Sequence, residues 1–302
     1  MSVTSKQLFA LNELFSAYPL DQFITQYLHR LPFALPNAAQ PLCVWGSWEV
    51  LAKMLETAGV NVLLTRSNEQ YTGETPTNSE SARALSQEGY TLLIRHAERH
   101  HEGIARFAEQ FAETFQGPIN AHIYATPPGH FGFSWHYDAE DVFILQLAGE
   151  KEYQLRKNTV NPWPLEETLP DDMQYERELM PLMRVKLRAG DMLYIPCGYW
   201  HRGVAGKCHE TAISLAIGVM SRTALDVFDL LRPQLLESLL WRQRLPIVSE
   251  TESGRSQCES AYQELLELLA NDLCKFMTSS QFRRKIIVCP KSMRRDASVT
   301  VD

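Results

Sequence analysis

The chain has 302 residues, 45% of them hydrophobic, and a formal net charge of −7, which suits one large domain with a small appendage. The acidic balance argues against nucleic acid as a partner of the whole chain. No run approaches the ~18 apolar residues of a membrane span, and the opening MSVTSKQLFALNELF lacks the continuous apolar stretch of a secretory leader.

Residues 1–118 read as mainly helical with some strands. Ile104, Phe107, Phe111 and Phe115 recur at helical spacing in GIARFAEQFAETF. Ser67 to Gln87 is polar and reads as a surface excursion. His96, His100 and His101 have no matching Cys or His set for zinc, so a solvated approach to that helix is expected. AHIYAT then reads as a strand, Pro128-Gly129 as a turn carrying a structural His130, and the following residues as a short strand and a loop.

Asp141 to Ala148 is nearly all apolar, as expected of a strand buried on both faces. Gly149 breaks it, and a second run starts at Lys151 and reaches Leu155. Lys157 to Met180, with Pro162, Pro164 and Pro170, reads as a long crossing loop, with Trp163 and Tyr175 as possible substrate contacts. Val185 and Leu187 alternate with charge, Ala189-Gly190-Asp191 turns, and Met192 to Ile195 is a strand that Pro196 ends. His201 lies on the next run, and Thr211 to Gly218 is the last strand. Beyond it, Leu225, Phe228, Leu231 and Leu235 mark one helix. Tyr262, Leu265, Leu266, Leu269, Leu273 and Phe276 mark another, with Ser249 to Ser256 as the connection. The basic residues Arg283, Arg284, Lys285, Lys291, Arg294 and Arg295 read as a solvated tail. The predicted organisation is therefore a catalytic domain at 1–220, with its β core at 119–218, and a helical region at 221–302 that suits a homodimer contact. Cys43, Cys197, Cys208, Cys258, Cys274 and Cys289 are scattered without a C-x-x-C, which fits a reduced cytoplasm.

The chemistry concentrates at His136 and Asp138 in FGFSWHYDAEDVF and at His201 in GDMLYIPCGYWHRG. Two imidazoles and a carboxylate can occupy one face of an octahedral Fe(II) or Mn(II) and leave the opposite face open. With nine His and eleven Asp in the chain, an H-x-D arises by chance about one time in three, so the motif needs its context. The two histidines are 201 − 136 = 65 residues apart. A double-sheet antiparallel roll can fold such distant hairpins face to face.

With the spacing His136-x-Asp138-x-x-Asp141-Val142-Phe143-x-x-Gln146-x-x-Gly149, followed by Gly190-Asp191-x-Leu193-Tyr194-Ile195-Pro196-x-Gly198-x-x-His201, the chain resembles the JmjC-type cupin oxygenases. The likeness is greatest to their bacterial ribosomal-oxygenase-like branch. It covers roughly residues 20 to 220 and includes LHRLPFALP. The resemblance implies a mainly β, double-stranded β-helix (jelly-roll) core with flanking helices, and an Fe(II)- and 2-oxoglutarate-dependent dioxygenase that hydroxylates a protein or peptide side chain with O₂. His136, Asp138 and His201 would be the catalytic metal ligands. Lys151 stands where that family puts its basic 2-oxoglutarate anchor; Tyr124 and Ser214 are hydroxyl candidates for the same co-substrate. Asp141 fits the branch pattern either as a structural cap or as a substrate contact. Ribosomal oxygenases continue into dimerisation and winged-helix regions, whereas the 302 − 218 = 84 residues after Gly218 suit only the former. Two further readings stand beside this one: a small-molecule or peptide-natural-product oxygenase on the same core, and a cupin-like scaffold without turnover.

Overall fold

The computed structural model describes residues 9–170, 173, 182–207, 210–248 and 251–288. Tyr175, Cys208, Cys289, Lys291, Arg294 and Arg295 lie outside them. Two compact units form, residues 1–221 and 222–302.

The first unit is built on two antiparallel sheets. Strands β1 (Phe33–Leu35), β2 (Asn61–Arg66), β3 (Glu69–Gln70), β4 (Thr91–Arg95), β5 (Ile119–Thr126), β6 (Asp141–Ala148), β7 (Glu150–Arg156), β8 (Met183–Arg188), β9 (Met192–Ile195), β10 (Trp200–Ala205) and β11 (Ala212–Val219) follow in chain order. Eight of them make a large sheet in the order β1-β9-β6-β11-β5-β4-β2-β3, and three make a small one, β10-β7-β8. This is the double-stranded β-helix with helical flanks.

Strand alternation assigns each residue to a layer. On β6, Phe143, Leu145 and Leu147 join a core shared with Phe23, Phe107 and Phe111, while Val142 and Ile144 join Tyr153, Leu155 and Leu193 in a second core. Both faces of β6 are thus buried, which is why its sequence runs almost unbroken in apolar residues. On β5 and β11, Ala121, Ile123, Ala125, Leu215 and Ile217 face the first core. Their neighbours Tyr124, Ser214 and Ala216 face a cavity on the other side. On β7, Lys151, Tyr153 and Leu155 are buried and the residues between them are not.

The N-terminal helices α1 (Leu11–Leu14), α2 (Leu20–Gln26), α3 (Trp48–Leu55), α4 (Ser79–Gln87) and α5 (Glu102–Phe115) flank the large sheet. On α5, Ile104, Phe107, Ala108 and Phe111 are buried, whereas Phe115 is only partly so. Residues 1–118 combine these helices with strands β1 to β4, which extend the large sheet. The excursion at 67–87 contains α4, started by the Asn78 side chain accepting from Ser81 N–H at 3.0 Å. The histidines ahead of α5 have local partners instead of open solvent: His101 Nδ1 caps the Ile104 N–H at 3.2 Å, and His100 Nδ1 lies 2.7 Å from Thr57 Oγ1. The short strand expected after the Pro-Gly turn does not form. The carbonyls of Phe131 and Gly132 accept instead from Ser67 and Asn68 N–H, at 3.1 and 2.7 Å.

Two glycines are forced by geometry. Gly149 turns β6 into β7 at φ +62°, and a Cβ there would lie 2.9 Å from the Thr211 carbonyl oxygen. Gly198 has φ +77°, and its Cβ would meet the Pro162 carbonyl oxygen at 2.6 Å. It sits in the loop that delivers His201.

The second unit is helical: α6 (Asp226–Glu237), α7 (Glu252–Thr278) and α8 (Ser280–Val288). Thr251 caps α7, accepting from Gly254 N–H at 3.2 Å, so the helix starts inside the stretch that reads as a connection. Trp241 Nε1 donates to Asp272 at 2.9 Å, and Tyr262 donates to the Pro246 carbonyl at 3.0 Å. Many of its apolar side chains are exposed, among them Leu225, Phe228, Leu236, Leu239, Leu266 and Leu268. Among the described residues no helix is long and apolar enough to cross a membrane.

Candidate metal and co-substrate site

His136 reaches the site through a single antiparallel bridge to His201. Its N–H donates to the His201 carbonyl at 3.1 Å, and the reciprocal bond is 2.7 Å. His201 is the second residue of β10, paired with Leu155 of β7. Asp138, two residues after His136, is held by Gly198 N–H donating to its carbonyl at 2.9 Å. One ligand atom from each of His136, Asp138 and His201 lies within 4.8 Å of the others. They are the one such group of three or more metal-ligating side chains among the described residues.

The tautomers suit a metal. His136 Nδ1 lies 2.8 Å from the Ser134 carbonyl oxygen and His201 Nδ1 lies 2.9 Å from that of Tyr199. A carbonyl only accepts, so each Nδ1 carries a proton and Nε2 is the ring atom left to bind a metal. His201 Nε2 is 3.5 Å from Asp138 Oδ2, close to the ~3 Å between adjacent ligands that each sit ~2.1 Å from one ion. Burial, and after it the neighbouring His136, push the His201 imidazole down to about 4, so it is a neutral donor at physiological pH.

The triad forms one wall of a cavity of about 100 Å³. Phe133, Val142, Ile144 and Ala216 give it apolar walls, and Lys151 lies deep inside. Lys151 is 7% exposed. Its Nζ is 3.4 Å from Thr126 Oγ1 and stands 5.5 and 5.4 Å from the ring centres of Tyr124 and Tyr153. No carboxylate of a described residue pairs with it within 4.0 Å, and burial lowers its ammonium to about 8. A buried cation without a counter-ion is costly, so the cavity is chemically fitted to an anion. Gly203 of β10 leaves room for it, since a Cβ there would lie 2.8 Å from Lys151 Cε.

Hydroxyls complete the cavity. Thr91 Oγ1 is buried without a hydrogen-bond partner among the described residues. Burial raises the Tyr153 phenol, and Ser214 Oγ lies near enough to its hydroxyl to offset part of that rise, yet lacks the geometry of a full hydrogen bond. Such buried orphans suit an oxygen-rich ligand. Burial, its largest influence, raises the Tyr124 phenol well above its ordinary value, so it stays a neutral donor. Glu140, two residues after Asp138, accepts from the Asn120 amide, and burial together with Asp138 raises its carboxyl to about 7.

The predicted residues His136, Asp138, His201, Lys151, Tyr124 and Ser214 all line this one cavity. Tyr153, Thr126, Thr91 and Gly203 are additions that the sequence reading does not name. The signal for Tyr153 was available: it stands two residues after Lys151, on the same face of a strand. His130 stays in its turn, with its N–H donating to the Pro127 carbonyl at 3.1 Å. Trp163 is 79% exposed.

Residues 94–227 match the family described as JmjC domain. The chain is 36% identical over 123 residues to the "bifunctional lysine-specific demethylase and histidyl-hydroxylase NO66" of Dictyostelium discoideum, covering 39% of this chain and 23% of that protein. It is 32% identical over 178 residues to ribosomal oxygenase 1 of Gallus gallus, covering 56% and 28%. The chain thus spans about a quarter of the length of these relatives. Among solved structures, that of YcfD, a ribosomal oxygenase from Escherichia coli in complex with cobalt and 2-oxoglutarate, superposes with a TM-score of 0.55. That match has 18% identity and covers 88% of this chain and 69% of the other. The segment 94–227 that matches the JmjC model holds the triad together with Tyr124, Lys151 and Ser214, and the fold around it is similar to that of the ribosomal oxygenase YcfD.

Proposed function

We propose that the chain is an Fe(II)- and 2-oxoglutarate-dependent dioxygenase that hydroxylates a side chain of a protein or peptide. One observation carries the reading: three ligand atoms of the facial type on one wall of a cavity, and a buried lysine without a carboxylate partner in its depth. When bound, Fe(II) with 2-oxoglutarate supplies the oxidising equivalent taken from O₂. The chain's residues do the rest. Nε2 of His136, Nε2 of His201 and the Asp138 carboxylate offer one face of ligands. Lys151 binds the far carboxylate of the co-substrate, with Tyr124, Tyr153 and Ser214 as hydroxyl partners. Val142, Ile144 and Phe133 exclude water.

A protein or peptide substrate follows the relatives, two of which are named for histidyl or ribosomal oxygenation. The test is 2-oxoglutarate turnover by the full chain. Stimulation by protein fractions supports the reading, whereas stimulation only by low-mass fractions favours a small-molecule substrate. Absence of the weak visible charge-transfer band on anaerobic addition of Fe(II) and 2-oxoglutarate would leave a scaffold without turnover.

Two further parts of the reading concern context. The described cysteines Cys43, Cys197, Cys258 and Cys274 are free thiols, which fits a reducing, cytoplasmic setting. The exposed leucines and Phe228 of the helical unit fit a homodimer contact. A solution mass of two chains at micromolar concentration is expected, and a single-chain mass rejects the dimer.

A further inference from the structure

Asp141 is 1% exposed, and its two oxygens take four contacts from four parts of the fold. Oδ1 accepts from the Tyr194 hydroxyl at 2.5 Å and from Cys197 N–H at 3.3 Å. Oδ2 accepts from Ser221 Oγ at 2.7 Å and pairs with His29 Nδ1 at 2.9 Å. A further bond ties two of these partners together: His29 N–H donates to the Tyr194 hydroxyl at 2.8 Å, with His29 held at φ +60°. Next to it, the Arg30 carbonyl accepts from the Tyr199 hydroxyl at 3.1 Å. Arg30 thus holds the 196–200 loop directly, through Tyr199, and His29 holds it through Asp141, which binds Cys197 N–H.

Two paths lead from this grip to the metal ligands. Tyr199, held by Arg30, presents its carbonyl to His201 Nδ1 at 2.9 Å and so fixes that ring. Cys197, held by Asp141, precedes Gly198, whose N–H binds the Asp138 carbonyl at 2.9 Å. His29 lies outside the matched JmjC segment, which begins at residue 94.

We infer that His29 and Asp141 are positioning residues for the metal centre, locking the 196–200 loop so that His201 and Asp138 stay at ligand spacing. This rests on the metal-centre reading above. Burial pushes the Asp141 carboxyl up, but His29, Tyr194 and Ser221 outweigh it and hold it below its ordinary value. The Asp141 hydrogen bond raises the His29 imidazole, against burial and the Arg30 charge. The other groups facing this pair are the phenol of Tyr194 and the thiol of Cys197, which burial and Asp141 push up to about 12, so both stay neutral at working pH. Since the His29 pKa is raised, its charged contribution is complete below about pH 6.5 and fades as pH rises through the folded value.

The test is cobalt(II) titration of the metal-free full chain, followed by visible absorption, for wild type, His29→Ala and His29→Gln. His29 is half-exposed, so the alanine variant should fold. At about pH 6.5 His29→Ala is expected to bind cobalt about ten-fold more weakly, the scale of losing an outer partner of a ligand. His29→Gln, which still donates to Asp141, should recover most of the loss, and the wild-type advantage should narrow toward about pH 8.5. At saturating metal the 2-oxoglutarate affinity should be unchanged. Equal cobalt affinity in wild type and His29→Ala overturns the inference while leaving the proposed function intact. A parallel loss of cobalt affinity, 2-oxoglutarate affinity and melting temperature overturns it too, because that pattern is general loosening. A wild-type chain that binds no cobalt removes the metal-centre reading itself.

Discussion

Replacing His201 with alanine should abolish divalent-metal binding and 2-oxoglutarate turnover together, in a chain that still folds. His201 is 6% exposed and is the second residue of β10. Its place in the sheet is set by backbone bonds, to Leu155 of β7 and to His136 across the bridge, and these do not need the ring. The cost to the fold is therefore a polar cavity rather than a lost element. The cost to the site is one of three ligands. That loss should exceed the ~10–100-fold seen when only an outer partner of a ligand is removed, so affinity should fall by about a hundred-fold or more. Metal titration, succinate release and a melting curve on the same protein check it. Retained turnover with alanine at 201 would remove the residue from the site.

Legibility in the sequence followed how local each cause is. β6 and β9 were plain because burial on both faces leaves an unbroken apolar run, as Asp141–Ala148 and Met192–Ile195 show. The nine-residue helix Ser79–Gln87 was hidden, since only Ala82 and Ser86 are buried and its apolar period is too sparse to see. The strand expected near Phe131 failed for a non-local reason: the β2–β3 turn takes its carbonyls. The site divides the same way. His136, Asp138 and His201 are recognisable because the chemistry restricts residue types at short spacing. Thr91 and His29 are not, because their roles exist only after strands or segments far apart in the chain have met.

Asp141 shows a further limit. Its spacing from Asp138 leaves a structural cap and a substrate contact equally open. The coordinates fill both carboxylate oxygens with Tyr194, Cys197, Ser221 and His29. A carboxylate so satisfied has little capacity left for a substrate, so its influence passes through the loop it holds.

Lys151→Met should raise the 2-oxoglutarate requirement by roughly ten- to a hundred-fold while making the ligand-free chain more stable. Both effects come from one circumstance. The ammonium lies in an apolar strand face with only Thr126 Oγ1 and two aromatic rings for company, and burial lowers it to about 8. Without an anion it opposes folding, and a methionine fills the same stem volume without a charge. With an anion it becomes the strongest polar contact in the cavity. A charge-assisted hydrogen bond contributes ~1.5–3 kcal/mol, and each ~1.4 kcal/mol is ten-fold in affinity. The sign of the pH effect follows from the lowered value. Between about pH 8 and the ordinary lysine value of about 10.4 the unfolded chain binds more protons than the folded one, so the wild type gains stability as pH rises through that window. Over the same window the free site loses its cation, and the wild-type 2-oxoglutarate requirement should climb. In Lys151→Met both trends should flatten. Steady-state titration of 2-oxoglutarate at saturating metal, with urea unfolding of the metal-free protein across pH, measures the pair. An unaltered requirement in the methionine variant would leave the lysine as a buried strand residue and require another anchor, for which Thr91 and Ser214 are the hydroxyls that remain.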